Sequence, residues 1–302
     1  MKNRSVVAWI HAARPRTLPL AFSSTLMGSF VAWHDRPFKW PVFGLALVTT
    51  LFLQILSNLA NDYGDTVNGA DNHDRVGPAR SVQSGAISLR NMKIAVIIVS
   101  LLALSSGIVL IGMGVGFTPS IDWLMFLVLG IAALISAIVY TAGSRPYGYK
   151  GLGDLFVFLF FGLTGVVGTY YLHTGYIPAT LWLPAASVGL LSTAVLNVNN
   201  MRDVKGDTRS GKRTLVVAMG SPWSKKYHTF LVIGALLALM VYTLFRFEHA
   251  TQFIYLVMVF YFAKHLKVIF ENTDPAALDP QLRMLAIGTF FTVLFFGFSL
   301  ML

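Results

Sequence analysis

The sequence predicts an all-α integral membrane protein, a single domain over residues 1–302 with nine transmembrane helices. Composition, hydropathy and the even recurrence of apolar runs point to it. The chain is 55% hydrophobic and only 12% charged, against roughly 45–50% and about 25% in a soluble domain. Its mean hydropathy is +0.66. Runs long enough to cross about 30 Å of hydrocarbon follow one another along the chain and leave no room for a soluble module.

The elements follow in order. Residues 1–16 carry Lys2, Arg4, Arg14 and Arg16 and read as a basic cytoplasmic flank, without the cleavage pattern of a secretory signal. Apolar spans are predicted at 17–34, 41–61, 94–115, 122–142, 154–174, 180–201, 227–247, 251–270 and 284–302. Helices are required because backbone polar groups in lipid must be satisfied within the segment. All six tryptophans, Trp9, Trp33, Trp40, Trp123, Trp182 and Trp223, fall near predicted ends, as interfacial anchors do. With the N-terminus inside, the inner segments hold 20 of the 23 Lys and Arg. That bias predicts an N-in, C-out topology.

Composition also excludes. With no cysteine, neither a disulfide framework nor a thiolate-ligated metal is open to the chain. The net charge of +10 is accounted for by positive loops facing anionic lipid, so nucleic acid is not an expected partner.

Two polar clusters stand out at span ends. They are Asn58-Leu-Ala-Asn61-Asp62-Tyr-Gly-Asp65 and Asn199-Asn200-Met-Arg202-Asp203-Val-Lys-Gly-Asp207. The chain has 13 acidic residues, and it places Asp62, Asp65, Asp71, Asp74, Asp203 and Asp207 in or just after these clusters. Carboxylates beside a bilayer are costly unless paired or bound to a cation. If the spans stay helical, Asn58, Asp62 and Asp65 share a face, Asn61 and Asp65 form an i, i+4 pair, and Asn199, Asp203 and Asp207 step by four. Carboxylate and amide oxygens suit Mg²⁺, which keeps waters and shares substrate phosphate. Solvated helix-end capping explains one such cluster equally well, but is a poorer account of two on one face. The clusters follow parallel spans four apart, which suggests a duplicated unit.

The same loops, about 62–93, 143–153 and 202–226, carry cations suited to phosphate. Arg75, Lys150 and Lys212 are favoured for that role, whereas Arg90, Lys93, Lys225 and Lys226 are explained by positive-inside bias alone.

Asn61-Asp62-Tyr-Gly-Asp65 and Asp203-Val-Lys-Gly-Asp207, with the Tyr/Lys-containing loop Ser144-Arg145-Pro-Tyr147-Gly-Tyr149-Lys150, resemble the marks of the UbiA superfamily of intramembrane prenyltransferases. The resemblance covers essentially the whole chain. Ala13-Arg-Pro-Arg-Thr-Leu-Pro-Leu-Ala-Phe22, Asp74-Arg-Val-Gly-Pro78 and Asn199-Asn-Met-Arg-Asp203 are similar to its menaquinone branch. That implies a UbiA-type bundle in the bacterial inner membrane with its active site facing the cytoplasm. It implies Mg²⁺-dependent transfer from polyprenyl diphosphate to 1,4-dihydroxy-2-naphthoate, with loss of pyrophosphate and CO₂, giving demethylmenaquinone. The rival acceptors are 4-hydroxybenzoate and homogentisate.

Carried over residue by residue, the metal ligands are Asn61, Asp62, Asp65, Asp71, Asn199, Asp203 and Asp207, holding two Mg²⁺ that bridge the diphosphate. Asp65, Asp203, Asp207 and Lys150 are the catalytic residues. Arg14, Arg75, Arg145, Tyr147, Tyr149 and Lys212 contact substrate. The family's first motif continues with an Asp where this chain has Gly69; Asp71 is assigned to replace it, with Asp74 the alternative. Arg14, with His11 and Arg16 nearby, is placed to meet an acceptor carboxylate, and the prenyl tail lies among apolar helices open to membrane lipid.

A cation or metabolite transporter is the alternative from another class. Against it, no acidic residue falls at the middle of a predicted span. Gln54, Ser57, Ser105, Ser106, Ser136, Thr164 and Ser192, and the glycines at 162, 165 and 168, are explained by helix packing. His34, His173, His228, His249 and His265 are expected at interfaces.

Overall fold

The computed structural model describes residues 2–35, 37–69, 80–144 and 146–302, with the side chains of 2–5 left aside. The described residues fold as helices without a strand. After a short N-terminal helix α1 (Lys2–Ala13) come α2 (Leu18–Asp35), α3 (Trp40–Val67), α4 (Leu89–Val115) and α5 (Ile121–Val139). The second half holds α6 (Gly153–Thr174), α7 (Ala179–Arg209), α8 (Ser221–Phe245), α9 (Ala250–Glu271) and α10 (Pro275–Ser299). Each predicted span thus has its helix.

Among the described residues, eight helices are long and apolar enough to cross a membrane. The remaining predicted span, the first, is α2, which is helical over 18 residues but less apolar, and the reason is its position. It packs against α3, α6, α7 and α10 and buries Ser23, Ser24, Thr25 and Ser29 toward them. Small hydroxyl residues let membrane helices approach and hydrogen-bond one another. Thr25 and Thr50 lie 2.7 Å apart across α2 and α3, and Ser29 lies 3.2 Å from His173 of α6. By contrast α5, facing outward, buries almost nothing of its apolar window.

The residues before Arg14, within the predicted basic flank, are helical. They form α1, whose Ala8 and Ala12 pack on Leu56 and Leu59 of α3 and on Ile87 and Met92. A central cluster joins Met27 and Val31 of α2, Val166 and Tyr170 of α6, Val188 of α7, Tyr242 of α8 and Phe296 of α10. At the opposite end from the aspartate clusters, Asp35 is ion-paired with Arg246 and accepts from the Tyr170 hydroxyl at 2.7 Å.

Helix α6 is wound as a π-helix over Phe158–Val167, a form found mostly as short bulges at functional sites. Its glycines make the close contacts predicted at 162 and 165. A Cβ on Gly162 would lie 2.7 Å from the Ala185 oxygen and from Gly189 Cα, and one on Gly165 would lie 2.7 Å from Ser24 Cβ. Gly168 has more room, with Phe126 at 3.5 Å.

Gly162→Ala forces α6 and α7 apart and is expected to cost about 1–3 kcal/mol, the usual range for overpacking. Gly44→Ala, whose Cβ meets nothing within 4 Å, serves as the control. Thermal unfolding in detergent separates them: a lowered midpoint for Gly162→Ala alone is expected, and a wild-type midpoint contradicts the backbone contact.

Candidate active site

Helix α3 stays helical through Val67 and α7 through Arg209, so both clusters sit on helices as their spacing requires. They line one cavity of about 1050 Å³, together with Arg14, Arg80, Tyr149, Lys212 and Arg283.

Asp65, only 4% exposed, organises it. One carboxylate oxygen accepts from Arg80 Nη2 at 2.9 Å. The other accepts from the Tyr149 hydroxyl at 2.7 Å and from Lys212 Nζ at 3.0 Å. These donors come from three loops: the one after α3, the turn Tyr147–Lys150, and the one after α7. Lys212 also lies 3.9 Å from an Asp207 oxygen and 4.5 Å above the Tyr149 ring, so one ammonium spans both aspartate clusters. Backbone pairing fixes it there: Lys212 N donates to Asp207 O at 2.9 Å, and Arg213 N to Tyr149 O at 2.8 Å.

The second cluster is arranged by Arg202, a 3% exposed guanidinium. It is bidentate on Asp203, at 2.8 and 2.7 Å, and also donates to Asn199 Oδ1 at 2.9 Å and to Asp279 of α10 at 2.6 Å. A planar five-donor group suits this task in a way an ammonium does not.

The other predicted residues divide. Asn61 lines the cavity and accepts from the Thr141 hydroxyl at 3.1 Å. Asp62 also lines it, yet its carboxylate accepts from the backbone N–H of Ser81 at 3.1 Å and of Val82 at 3.5 Å, holding the turn that delivers Arg80. Asn58, predicted on the same face, turns its amide to the start of α2 instead, donating to Ala13 O at 2.9 Å and Thr17 Oγ1 at 3.1 Å. Lys150 is exposed and is absent from the cavity wall. Asp71, Asp74, Arg75 and Arg145 lie outside the described residues.

Tyr147 belongs to a second cavity of about 380 Å³, lined chiefly by apolar side chains. Its hydroxyl donates to Ser136 O at 3.0 Å, and burial pushes its pKa upward, so it keeps its proton. Its ring lies 4.2 Å from that of Phe156 and 5.4 Å from that of Tyr140. Asn61, Tyr140, Val157, Phe161 and Leu196 border both cavities. The polar chamber therefore continues into an apolar one.

Sequence reasoning did not single out Arg80, Arg202, Asp279 or Arg283 for the site. Arg80 could not be told from the general positive charge of its loop. Asp279 and Arg283 reach the cavity from α10, far along the chain, and no local pattern marks them. Arg14 carries a signal that only the fold reveals. Among the described residues it is the one non-glycine with positive φ (49°, ψ 67°), a left-handed conformation costing about 1–2 kcal/mol.

The sequence matches the UbiA prenyltransferase family profile over residues 21–294. It is 42% identical over 295 residues to the 1,4-dihydroxy-2-naphthoate octaprenyltransferase of Escherichia coli, covering 98% of this chain and 95% of that one. It is 39% identical to the Haemophilus influenzae protein of the same name, covering 100% and 98%. Among solved structures, a UbiA homolog from Archaeoglobus fulgidus bound to GPP and Mg²⁺ superposes with a TM-score of 0.70 at 16% identity, covering 97% of this chain and 99% of that one. The apo UbiA homolog from Aeropyrum pernix gives 0.68 at 15%, covering 96% and 97%. At these identities the structural likeness is one of fold.

Arg80→Met leaves buried Asp65 without its guanidinium and is expected to destabilise the protein by about 3 kcal/mol, as removing one partner of a buried ion pair does. Lys212 still compensates Asp65 there, so the double Arg80→Met, Asp65→Asn variant should lose less stability than the sum of the two single losses, as residues sharing one ion pair do. Denaturant titration of the single and double variants in detergent checks this. A double variant weaker than Arg80→Met by the full cost of a second lesion contradicts the pairing.

Proposed function

The chain belongs to the UbiA prenyltransferase family, and from this premise we propose that its polar cavity performs polyprenyl transfer to 1,4-dihydroxy-2-naphthoate. The donor is polyprenyl diphosphate; pyrophosphate and CO₂ leave, and the product is demethylmenaquinone. The full-length relatives at 42% and 39% identity support this acceptor. One observation carries the reading: two aspartate clusters from parallel helices converge on a single cavity that opens into an apolar chamber.

The donor atoms fit Mg²⁺. They are carboxylate and amide oxygens, at Asn61, Asp62, Asp65, Asn199, Asp203 and Asp207, with Asp71 as the further candidate. Among the described residues no three His, Cys, Asp or Glu are grouped to hold an ion by themselves, so water and substrate phosphate oxygens would have to complete the shell of Mg²⁺. Mg²⁺ bound there, proposed as two ions, would supply positive charge to the departing pyrophosphate.

The chain's own residues do the rest. Lys212, with Arg75 and Arg145, contacts the phosphoryl oxygens, and Asp65 and Asp207 hold the Lys212 ammonium at the cavity. Tyr149 orients Asp65, and Arg202 orients Asp203. As the donor C–O bond breaks, its electron pair leaves with pyrophosphate and positive charge develops on the allylic carbon. The π faces of Tyr140, Tyr147 and Phe161, at or near the junction of the chambers, stabilise that charge. The electron-rich naphthoate ring forms the new C–C bond; the bond to its carboxylate then breaks, and those electrons restore aromaticity.

Arg14 and Arg283 line the polar chamber and supply cationic partners for the acceptor carboxylate. The apolar chamber takes the first isoprene units, and the remaining tail extends toward lipid. The charge bias of the loops supports a cytoplasmic active site in a bacterial inner membrane, with nine spans, the N-terminus inside and the C-terminus outside.

Purified protein given polyprenyl diphosphate, 1,4-dihydroxy-2-naphthoate and Mg²⁺ is expected to release pyrophosphate. Mass spectrometry should find an adduct lacking the carboxylate, and chelation should stop turnover. Asp65→Ala and Asp203→Ala should each lower turnover by at least about 10²-fold, the scale of losing one charge-stabilising group, while the protein stays folded. Near-normal turnover in either removes that residue from the site. Adducts formed with 4-hydroxybenzoate or homogentisate but not with the naphthoate overturn the acceptor.

A further inference from the structure

The strained turn at Arg14 is held from helix α3, by residues with no role in the reaction so far. The Thr17 hydroxyl donates to Arg14 O at 2.9 Å. Thr17 Oγ1 in turn accepts from Asn58 Nδ2 at 3.1 Å and from Gln54 Nε2 at 3.0 Å. Asn58 Nδ2 also donates to Ala13 O at 2.9 Å. A hydroxyl has one proton and two lone pairs, so Thr17 is fully used, and the turn is gripped on both sides of Arg14.

A simple connector has no need of this. Glycine takes a left-handed conformation without strain, yet an arginine stands here, and it lines the polar chamber. Strain of this kind persists only where surrounding structure enforces it, and it concentrates at functional sites. The enforcing groups sit on the helix of the first aspartate cluster, with Asn58, itself buried, one turn ahead of Asp62. The clamp therefore fixes Arg14 relative to that cluster.

We propose that Thr17 and Asn58 are positioning residues that hold the Arg14 turn so that its guanidinium meets the acceptor carboxylate at a set distance from the diphosphate site. This rests on the reading of Arg14 as an acceptor contact. It places the clamp's effect on acceptor binding rather than on metal, donor or fold.

The test uses the full-length protein in detergent, with KM for each substrate and kcat measured separately. Thr17→Val, close in shape but without the hydroxyl, should raise the acceptor KM about tenfold, the scale of one lost positioning contact. Its donor KM and kcat should stay within about twofold. Thr17→Ser, which keeps the hydroxyl, should restore the acceptor KM. In an Arg14→Gln background, which itself raises the acceptor KM, Thr17→Val should add nothing further, since the two act as one unit.

Equal changes in both KM values, a fall in kcat alone, or an additive effect in that background overturns the clamp while leaving Arg14 as an acceptor contact. An unchanged acceptor KM in Arg14→Gln removes that contact, and the clamp's role with it. If Thr17→Val does not fold, Thr17→Ala carries the same test; loss of folded protein in both shows a structural hydroxyl and contradicts the positioning role.

Discussion

A carboxylate buried at the end of a membrane helix has to be compensated, and the compensation of Asp65 ties together the end of this protein that carries the aspartate clusters. Its two oxygens take a guanidinium, an ammonium and a phenolic hydroxyl from three loops. Water cannot do this for a group only 4% exposed, and leaving such a charge unpaired costs several kcal/mol. The three loops are thereby drawn over one cavity. Arg202 does the corresponding work for the second cluster, joining Asn199 and Asp203 of α7 to Asp279 of α10.

The chemistry follows from where these groups stop. Past Asn61 and Tyr140 the wall becomes apolar, and the polar chamber gives way to one fit for a hydrocarbon chain. A substrate with an anionic diphosphate head and a long apolar tail would have each part matched by its surroundings. The central helix α2 makes this possible. Its hydroxyl residues allow close packing with four neighbours, and its leading turn brings Arg14 to the chamber.

The helices were legible because lipid imposes one rule on every span: enough apolar length, with the backbone satisfied inside. Helices begin within about five residues of the predicted spans at most ends; α10 begins nine residues early, because the turn from Pro275 to Asp279 has no apolar run to mark it. The aspartate clusters were legible too, because helical spacing within a segment is local information. What the spacing could not reveal was the direction of each side chain. Asn58 sits on the face of Asp62 and Asp65, yet its amide serves the turn before α2. Lys150 and Lys212 are both loop lysines beside glycine, yet only Lys212 reaches Asp65. Arg80, Asp279 and Arg283 join the site through contacts between elements distant in sequence, which a single chain does not record. The modest hydropathy of α2 is likewise a consequence of central packing, and its sequence alone gave no sign of that location.

The central claim is that both aspartate clusters act on one metal-bound diphosphate. Anomalous diffraction from crystals grown with Mn²⁺ and a non-hydrolysable prenyl thiodiphosphate tests it most directly. The account predicts metal peaks within coordination distance of oxygens from both clusters, including Asp65 on one side and Asp203 or Asp207 on the other, with Lys212 Nζ turned to the diphosphate. Metal confined to one cluster, or a diphosphate bound away from the cavity between them, would contradict it.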